Sequence, residues 1–262
     1  MRNPMQAATP PPPGGTSGPG EPDSAPRLAP ADAEAQDGGP RGRRSVRSYV
    51  MRAGRITPAQ QRALEALWPR YGVQFVDEPL DLVALFGRDA PRTLEIGFGN
   101  GDNLLARAVA DPGRDFLGIE VHRPGVGHLL LGAADAALAN LRVSMHDAVA
   151  VAQQLPAASL EEVQVLFPDP WPKKRHHKRR LLQPVFIAQL ATLLQPHGRL
   201  HIVTDWQPYA EQIAVHLAGC AALMPAAQWP LPSASARPTT RFERRGTRLG
   251  HDIHEFLYLR RP

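Results

Sequence analysis

At 262 residues and 43% hydrophobic composition the chain is long enough for one sizeable α/β core, and the lack of any eighteen-residue apolar run excludes a spanning helix. A single cysteine, Cys220, excludes an internal disulfide and a cysteine-based metal cluster, and no metal is expected. The net charge of +5 conceals two acid-free stretches, 41–55 and 173–180, with six Lys/Arg each; setting those twelve cations aside leaves −7, a mildly acidic body with two basic patches, the pattern of a protein that meets a polyanion.

In chain order, residues 1–40 hold ten of the 28 prolines and almost no large apolar side chains, so this segment is expected to be a disordered tail. Its start lacks the apolar core of a signal peptide, and Glu21, Asp23, Asp32, Glu34 and Asp37 count against a transit peptide, so a cytoplasmic location is expected. The first basic stretch, 41–55, interleaves six arginines with Tyr49 and Met51. Thr57 and Pro58 then open a helix as N-cap and N1, running to Trp68 and stopped by Pro69; residues 80–86 form a second short helix. From Arg92 strands and helices alternate: strand 92–97, helix 102–110, strand 115–120, helix 124–139, strand 141–146, helix 148–154, strand 162–167, helix 181–195, strand 199–204 and helix 208–220. The segment 251–260 alternates Ile253, Phe256 and Tyr258 and reads as a closing antiparallel strand. The pattern predicts an α/β fold over residues 41–262, a doubly wound, mostly parallel sheet with a C-terminal antiparallel strand, in which ligands sit at the carboxyl ends of the strands.

Those ends are where the unusual residues fall. Gly97, Gly99 and Gly101 follow the first strand of the alternating run and let a ligand lie on the main chain. The dinucleotide fingerprint G-x-G-x-x-G would need its third glycine at Asp102, so the turn is a poor pyrophosphate cradle. With Glu95 inside the strand and Glu120 closing the next, the pattern suits a ligand with a ribose and a positive centre, as in S-adenosylmethionine, Glu120 accepting from both ribose hydroxyls. Asp147, after the third strand, either meets the adenine amine or merely caps the helix that follows.

Residues 167–180, Phe-Pro-Asp-Pro-Trp-Pro-Lys-Lys-Arg-His-His-Lys-Arg-Arg, leave the sheet on a rigid path, because no strand continues through Pro168, Pro170 and Pro172. Asp169 is thereby fixed at a strand end with the flat face of Trp171 beside it. Amino-methyltransferases of DNA and RNA place an Asp/Asn-Pro-Pro-aromatic segment at this point, and the Pro-Asp-Pro-Trp variant suggests a related base pocket with a different target atom. The cations that follow require a strongly anionic partner, and their place directly after this segment sets them apart from an ordinary solvated loop.

Leu94-Glu-Ile-Gly-Phe-Gly-Asn-Gly101, Gly118-Ile-Glu-Val-His122, the 167–180 block, Thr204-Asp-Trp206 and Thr240-Arg-Phe-Glu-Arg-Arg-Gly246 together resemble the bacterial tRNA (guanine-N7-)-methyltransferase family, over about 45–260. The resemblance implies a Rossmann-like class I methyltransferase fold, with S-adenosylmethionine as methyl donor and N7 of a guanine in the tRNA variable loop, position 46, as acceptor. It implies donor contacts from Glu95, Gly97, Gly99, Gly101, Glu120, Asp147 and Asp169, Asp169 being also the candidate catalytic residue. It places Lys173, Asp205, Thr240, Arg241, Phe242 and Glu243 at the substrate, while Arg175, His176, His177, Lys178, Arg179 and Arg180 are candidates for contact with RNA. Pro172 stands where the family commonly has histidine, and the Pro/Gly-rich tail is an addition.

Guanine N7 carries a lone pair and no proton, so this chemistry needs no general base, and alignment can supply about 7–11 kcal/mol of the barrier. Asp169 either acts chemically or only positions the donor, and Asp205 and Glu243 compete to hold the guanine edge. A monomer is slightly favoured and no membrane partner is expected. The alternatives are a methyltransferase acting on another RNA or DNA base, a nicotinamide-dependent oxidoreductase, disfavoured by the misplaced glycine, and a non-enzymatic RNA-binding module, which need not keep a carboxylate at each strand end.

Overall fold

The computed structural model describes residues 54–226, 243, 248 and 250–262. The tail 1–40, all but the last two residues of the first basic stretch, and Thr240, Arg241 and Phe242 lie outside the described residues. Helix α1 (Pro58–Ala66) opens with a reciprocal cap: the Gln60 amide donates to the Thr57 hydroxyl at 3.2 Å and the Thr57 amide to the Gln60 side chain at 2.9 Å. Pro69 does not stop this helix. It lies in the first turn of a second one, α2 (Trp68–Tyr71), where a residue without an N–H forfeits no helical bond. Two residues of strand, β1 (Gly72–Val73), follow directly; a Cβ at Gly72 would lie 2.2 Å from the Trp68 ring, so glycine is what lets the chain fold back there. Helix α3 (Leu82–Phe86) runs from an Asp81 cap to Gly87 in the left-handed conformation.

The alternating run then follows as β2 (Arg92–Ile96), α4 (Asp102–Ala110), β3 (Asp115–Ile119), α5 (Arg123–Asp135), β4 (Leu141–Ser144), α6 (Ala148–Gln154) and β5 (Leu160–Leu166). A 3₁₀ helix (Lys174–Arg179) precedes α7 (Pro184–Leu193), β6 (Leu194–Thr204), α8 (Gln207–Ala218), β7 (Leu223–Pro225) and β8 (His254–Arg260). The cationic segment, which lies outside every element predicted from sequence, is thus partly helical. Helix α5 ends short of the expected residue 139, because Ala137 turns left-handed (φ 51°) and the Leu138 amide reaches back to the Ala133 carbonyl at 2.9 Å. Glycine usually marks such an end, and here the sequence carries alanine.

The eight strands lie in the order β1-β4-β3-β2-β5-β6-β8-β7. Strands β1 to β6 pair in parallel; β8 runs antiparallel to β6, and β7 pairs antiparallel with β8, one antiparallel pairing more than the sequence predicts. From β2 the chain winds one way through β3 and β4, then returns to the other side through β5 and β6. The order therefore reverses between β2 and β5, and the crevice outside their carboxyl ends is the switch point where such sheets take ligands.

Alternation along the strands builds two faces. Leu94, Ile96, Leu117, Ile119, Val163, Val165, Leu200 and Ile202 pack with Val151, Phe186, Ile187, Leu190 and Ile213 in one apolar cluster. On the opposite face Phe116 packs with Leu104, Ala108, Val126 and Leu129. Towards β5 that second face turns polar and buried: Asn103 Nδ2 donates to Glu95 at 2.8 Å and Gln164 at 3.0 Å, and Gln164 Nε2 donates to Glu162 at 2.8 Å. Arg107 and Arg199 pair with Glu162 at 2.7 Å and 3.3 Å. Burial by itself would raise the Glu162 pKa, but the two guanidiniums prevail and hold it below the ordinary 4.5. No helix among the described residues is long and apolar enough to cross a membrane.

Candidate active site

Gly97, Gly99 and Gly101 have φ of 72°, 61° and 82°, so each occupies the left-handed region that the β2–α4 turn requires. A Cβ at Gly97 would meet no described residue within 4 Å, which leaves the turn open on that side. The turn is pressed from behind: a Cβ at Gly125 would come within 2.0 Å of the Gly99 carbonyl oxygen. Gly125 was not legible as a site residue, and the only hint is the Arg-Pro-Gly-Val-Gly opening of α5.

Glu120 lashes this turn to the end of β3. Its Oε2 accepts from the Gly99 amide at 2.8 Å, and its Oε1 from the Val121 and His122 amides at 2.7 Å and 2.9 Å. A carboxylate has about four acceptor positions, and backbone amides take three of them at Glu120. Glu95 is buried and oriented by Asn103. Asp147 realises the capping alternative, its Oδ1 accepting from the Val149 and Ala150 amides at 2.9 Å and 3.2 Å. Beside it lies a contact that sequence reasoning missed: the rings of His146 and Phe75 stack with centroids 3.7 Å apart and planes 3° apart. It depends on the pairing of β1 with β4, and a two-residue strand gives no periodic signal.

After β5, Phe167 (φ 53°) and Trp171 (φ 43°) bracket Pro168-Asp169-Pro170 in left-handed conformations that bulky side chains rarely adopt. Asp169 is exposed at this turn. Trp171 is not bare: the Arg179 guanidinium lies 5.1 Å over its ring and the His176 ring meets it edge-on at 5.7 Å. Desolvation together with the Arg175, Arg179 and Lys173 cations pushes His176 below its ordinary 6.5, so its ring is neutral near pH 7 and accepts from Arg175 Nε at 3.4 Å. Lys173, Lys174, Arg175 and Lys178 are exposed, and His177 is half-buried. Arg180 departs from the expectation of an RNA contact. It is 2% exposed, and its guanidinium points into the protein, bonded to the Pro170 carbonyl at 2.8 Å and Gln212 at 2.5 Å.

Asp205 follows β6 and its Oδ2 lies 3.4 Å from His251 Nδ1, while the Trp206 and His251 rings meet at 6.4 Å. His251 was not singled out by sequence; it arrives from the approach to β8, which runs antiparallel beside β6. Glu243 is half-buried. Glu95, Glu120, Asp147, Asp169 and Asp205 thus stand at the carboxyl ends of five parallel strands on one edge of the sheet. No group of three or more His, Cys, Asp or Glu side chains among the described residues could hold a metal ion.

Comparison with known proteins places these features. Residues 89–256 match a family model described as putative methyltransferase. The chain is 54% identical to a tRNA (guanine-N(7)-)-methyltransferase of Halorhodospira halophila, across 84% of this chain and 96% of that protein. It is 48% identical to the protein of the same name from Burkholderia mallei, across 90% of each. The crystal structure of the 16S rRNA methyltransferase KamB aligns with a TM-score of 0.53 at 20% identity, covering 74% of this chain and 99% of that one, a likeness of fold.

Proposed function

The chain belongs to the tRNA (guanine-N(7)-)-methyltransferase family, and on that premise we propose that it transfers a methyl group from S-adenosylmethionine to N7 of a guanine in tRNA, at position 46 of the variable loop. The observation that carries this reading is the arrangement at the switch point: an open left-handed glycine turn, Glu95, Glu120 and Asp147 at the ends of β2, β3 and β4, an exposed Asp169 after the neighbouring β5, and exposed cations directly following.

The crevice fits S-adenosylmethionine better than a dinucleotide. Three carboxylates suit hydroxyl, amine and sulfonium groups and would repel a pyrophosphate. Bound there, S-adenosylmethionine supplies the methyl group. Gly97, Gly99 and Gly101 let it approach the main chain, Glu95 and Glu120 accept hydrogen bonds from it, and Asp147, whose cap uses Oδ1, has Oδ2 to offer the adenine amine. Asp169 acts through position and field at the rim. An anion that favours donor and transition state equally gains nothing in turnover, so its contribution is alignment.

On the RNA side, Asp205 and Glu243 are the acceptors for the N1 and N2 donors of guanine, assisted by Lys173, Thr240, Arg241 and Phe242. Lys174, Arg175 and Lys178 meet phosphates, Arg179 shares the face of Trp171, and His176 and His177 line the same surface. Incubating the protein with labelled methyl donor and total tRNA, followed by nucleoside analysis, tests the reading. The expected product is 7-methylguanosine, and a different methylated nucleoside would transfer the protein to another base.

A further inference from the structure

The last of the six cations after Trp171 works from inside the fold. Arg180 Nε donates to the Pro170 carbonyl at 2.8 Å, and Nη1 donates to the Pro208 carbonyl at 3.3 Å and to Gln212 Oε1 at 2.5 Å. Its guanidinium lies 4.8 Å over the ring of Tyr209. Pro208, Tyr209 and Gln212 all belong to α8, and Tyr209 is itself fixed, its hydroxyl accepting from the Leu182 amide at 3.1 Å. Gln183 Nε2 closes the arrangement by donating to the carbonyls of His177 and Arg180 at 3.0 Å and 3.1 Å. A helix packed into the core therefore grips the Asp169-bearing turn through one planar side chain.

That turn needs an external hold. Phe167 and Trp171 sit at φ 53° and 43°, and a residue kept in such a region costs on the order of 1–3 kcal/mol. Pro168 and Pro170 fix the backbone on either side of Asp169 but have no N–H with which to tie the turn. The Pro170 carbonyl, one residue from Asp169, is where Arg180 takes hold.

We propose that Arg180 is a positioning residue for Asp169: its guanidinium, braced on α8 by Gln212 and Tyr209, sets the Pro168-Asp169-Pro170 turn, and it takes no part in phosphate binding. This rests on the reading of Asp169 as a working group in methyl transfer. The fork is what matters, since a lysine keeps the charge but offers a single point donor in place of the planar spread from Nε to Nη1 that meets Pro170 and Gln212.

Three full-length variants test it: Arg180→Lys, Gln212→Ala and Asp169→Asn, each measured for turnover at saturating tRNA, for the salt dependence of tRNA affinity and for thermal melting. Arg180→Lys should lose turnover by about tenfold to a hundredfold, the range of a small misplacement at a reacting centre, with the salt slope unchanged. Gln212→Ala, outside the basic stretch, should lose turnover in the same direction by a smaller factor. Combined with Arg180→Lys it should add little, because both break one path. Wild-type turnover in Arg180→Lys overturns the proposal, as does a salt slope reduced by about 0.7–0.9 in that variant. Should Arg180→Lys fail to fold, wild-type turnover in Gln212→Ala overturns it. Asp169→Asn separates the two levels: inactive Asp169→Asn beside active Arg180→Lys removes the anchor alone, whereas active Asp169→Asn removes the role of Asp169 itself.

Discussion

Neutralising Lys174, Arg175 and Lys178 together to glutamine should change how tRNA affinity depends on salt and leave catalysis alone. These three are exposed, while Arg180 is buried and Arg179 lies over Trp171, so the six-cation stretch offers fewer phosphate ligands than its composition suggests. Removing one cation from its phosphate lowers the slope of log affinity against log salt by roughly 0.7 for single-stranded and 0.9 for duplex geometry, so three such pairings amount to about 2–3. Over a rise from about 50 to 200 mM salt, those pairings account for roughly a 20- to 40-fold fall in affinity in the wild type that the variant would not show. Fluorescence anisotropy with labelled tRNA across that range reads the slope, and turnover at saturating tRNA reads the chemistry. An unchanged slope would mean that these cations do not meet RNA, and loss of turnover at saturation would mean that the stretch takes part in the transfer; either result refutes the division of labour argued above.

Glu95→Ala and Glu120→Ala should each weaken S-adenosylmethionine binding by roughly 1.5–3 kcal/mol, the loss of a charged hydrogen-bond partner, as read by calorimetric titration. Glu120→Ala should also lower the melting temperature, since it releases the amides of Gly99, Val121 and His122; unchanged donor affinity in either variant removes that residue from the site. Glu162→Gln leaves Arg107 without its buried counter-ion, while Arg199 keeps Glu161 at 3.3 Å, and should cost about 3 kcal/mol in denaturant unfolding near neutral pH. Because the native pKa of Glu162 lies below its ordinary 4.5, its stabilisation is present above that value and is lost as pH falls through the native one, so the gap between variant and wild type should narrow below about pH 4.5. A gap that widens in acid would contradict the pairing.

Most of the sheet was legible because apolar residues recur at alternate positions, as Leu94/Ile96, Leu141/Val143, Val163/Val165 and Leu200/Ile202, in short runs followed by glycine, proline or an acid, and α6 could be placed from Asp147 and its apolar run alone. Where the reading failed, the deciding contact was distant in sequence. Pro69 looks like a stop, yet α1 has already ended and the proline starts the next helix. Strands β1 and β7 are two and three residues long and exist only through their partners β4 and β8. Arg180 is indistinguishable by composition from Arg179, and only the fold shows that one turns to Trp171 at the surface and the other to Pro170 and α8 inside. The carboxylates at the strand ends were placed correctly by topology, whereas the backbone amides that already occupy Glu120 and Asp147 could not be counted without coordinates.

The claim that the acceptor is N7 of the variable-loop guanine is tested most directly by a tRNA transcript in which 7-deazaguanine replaces guanine at position 46, which removes the lone pair and leaves every phosphate in place. The unsubstituted transcript should accept a methyl group, and the substituted one should bind with the same salt dependence and accept none. Methyl transfer to the substituted transcript at an undiminished level would contradict the account.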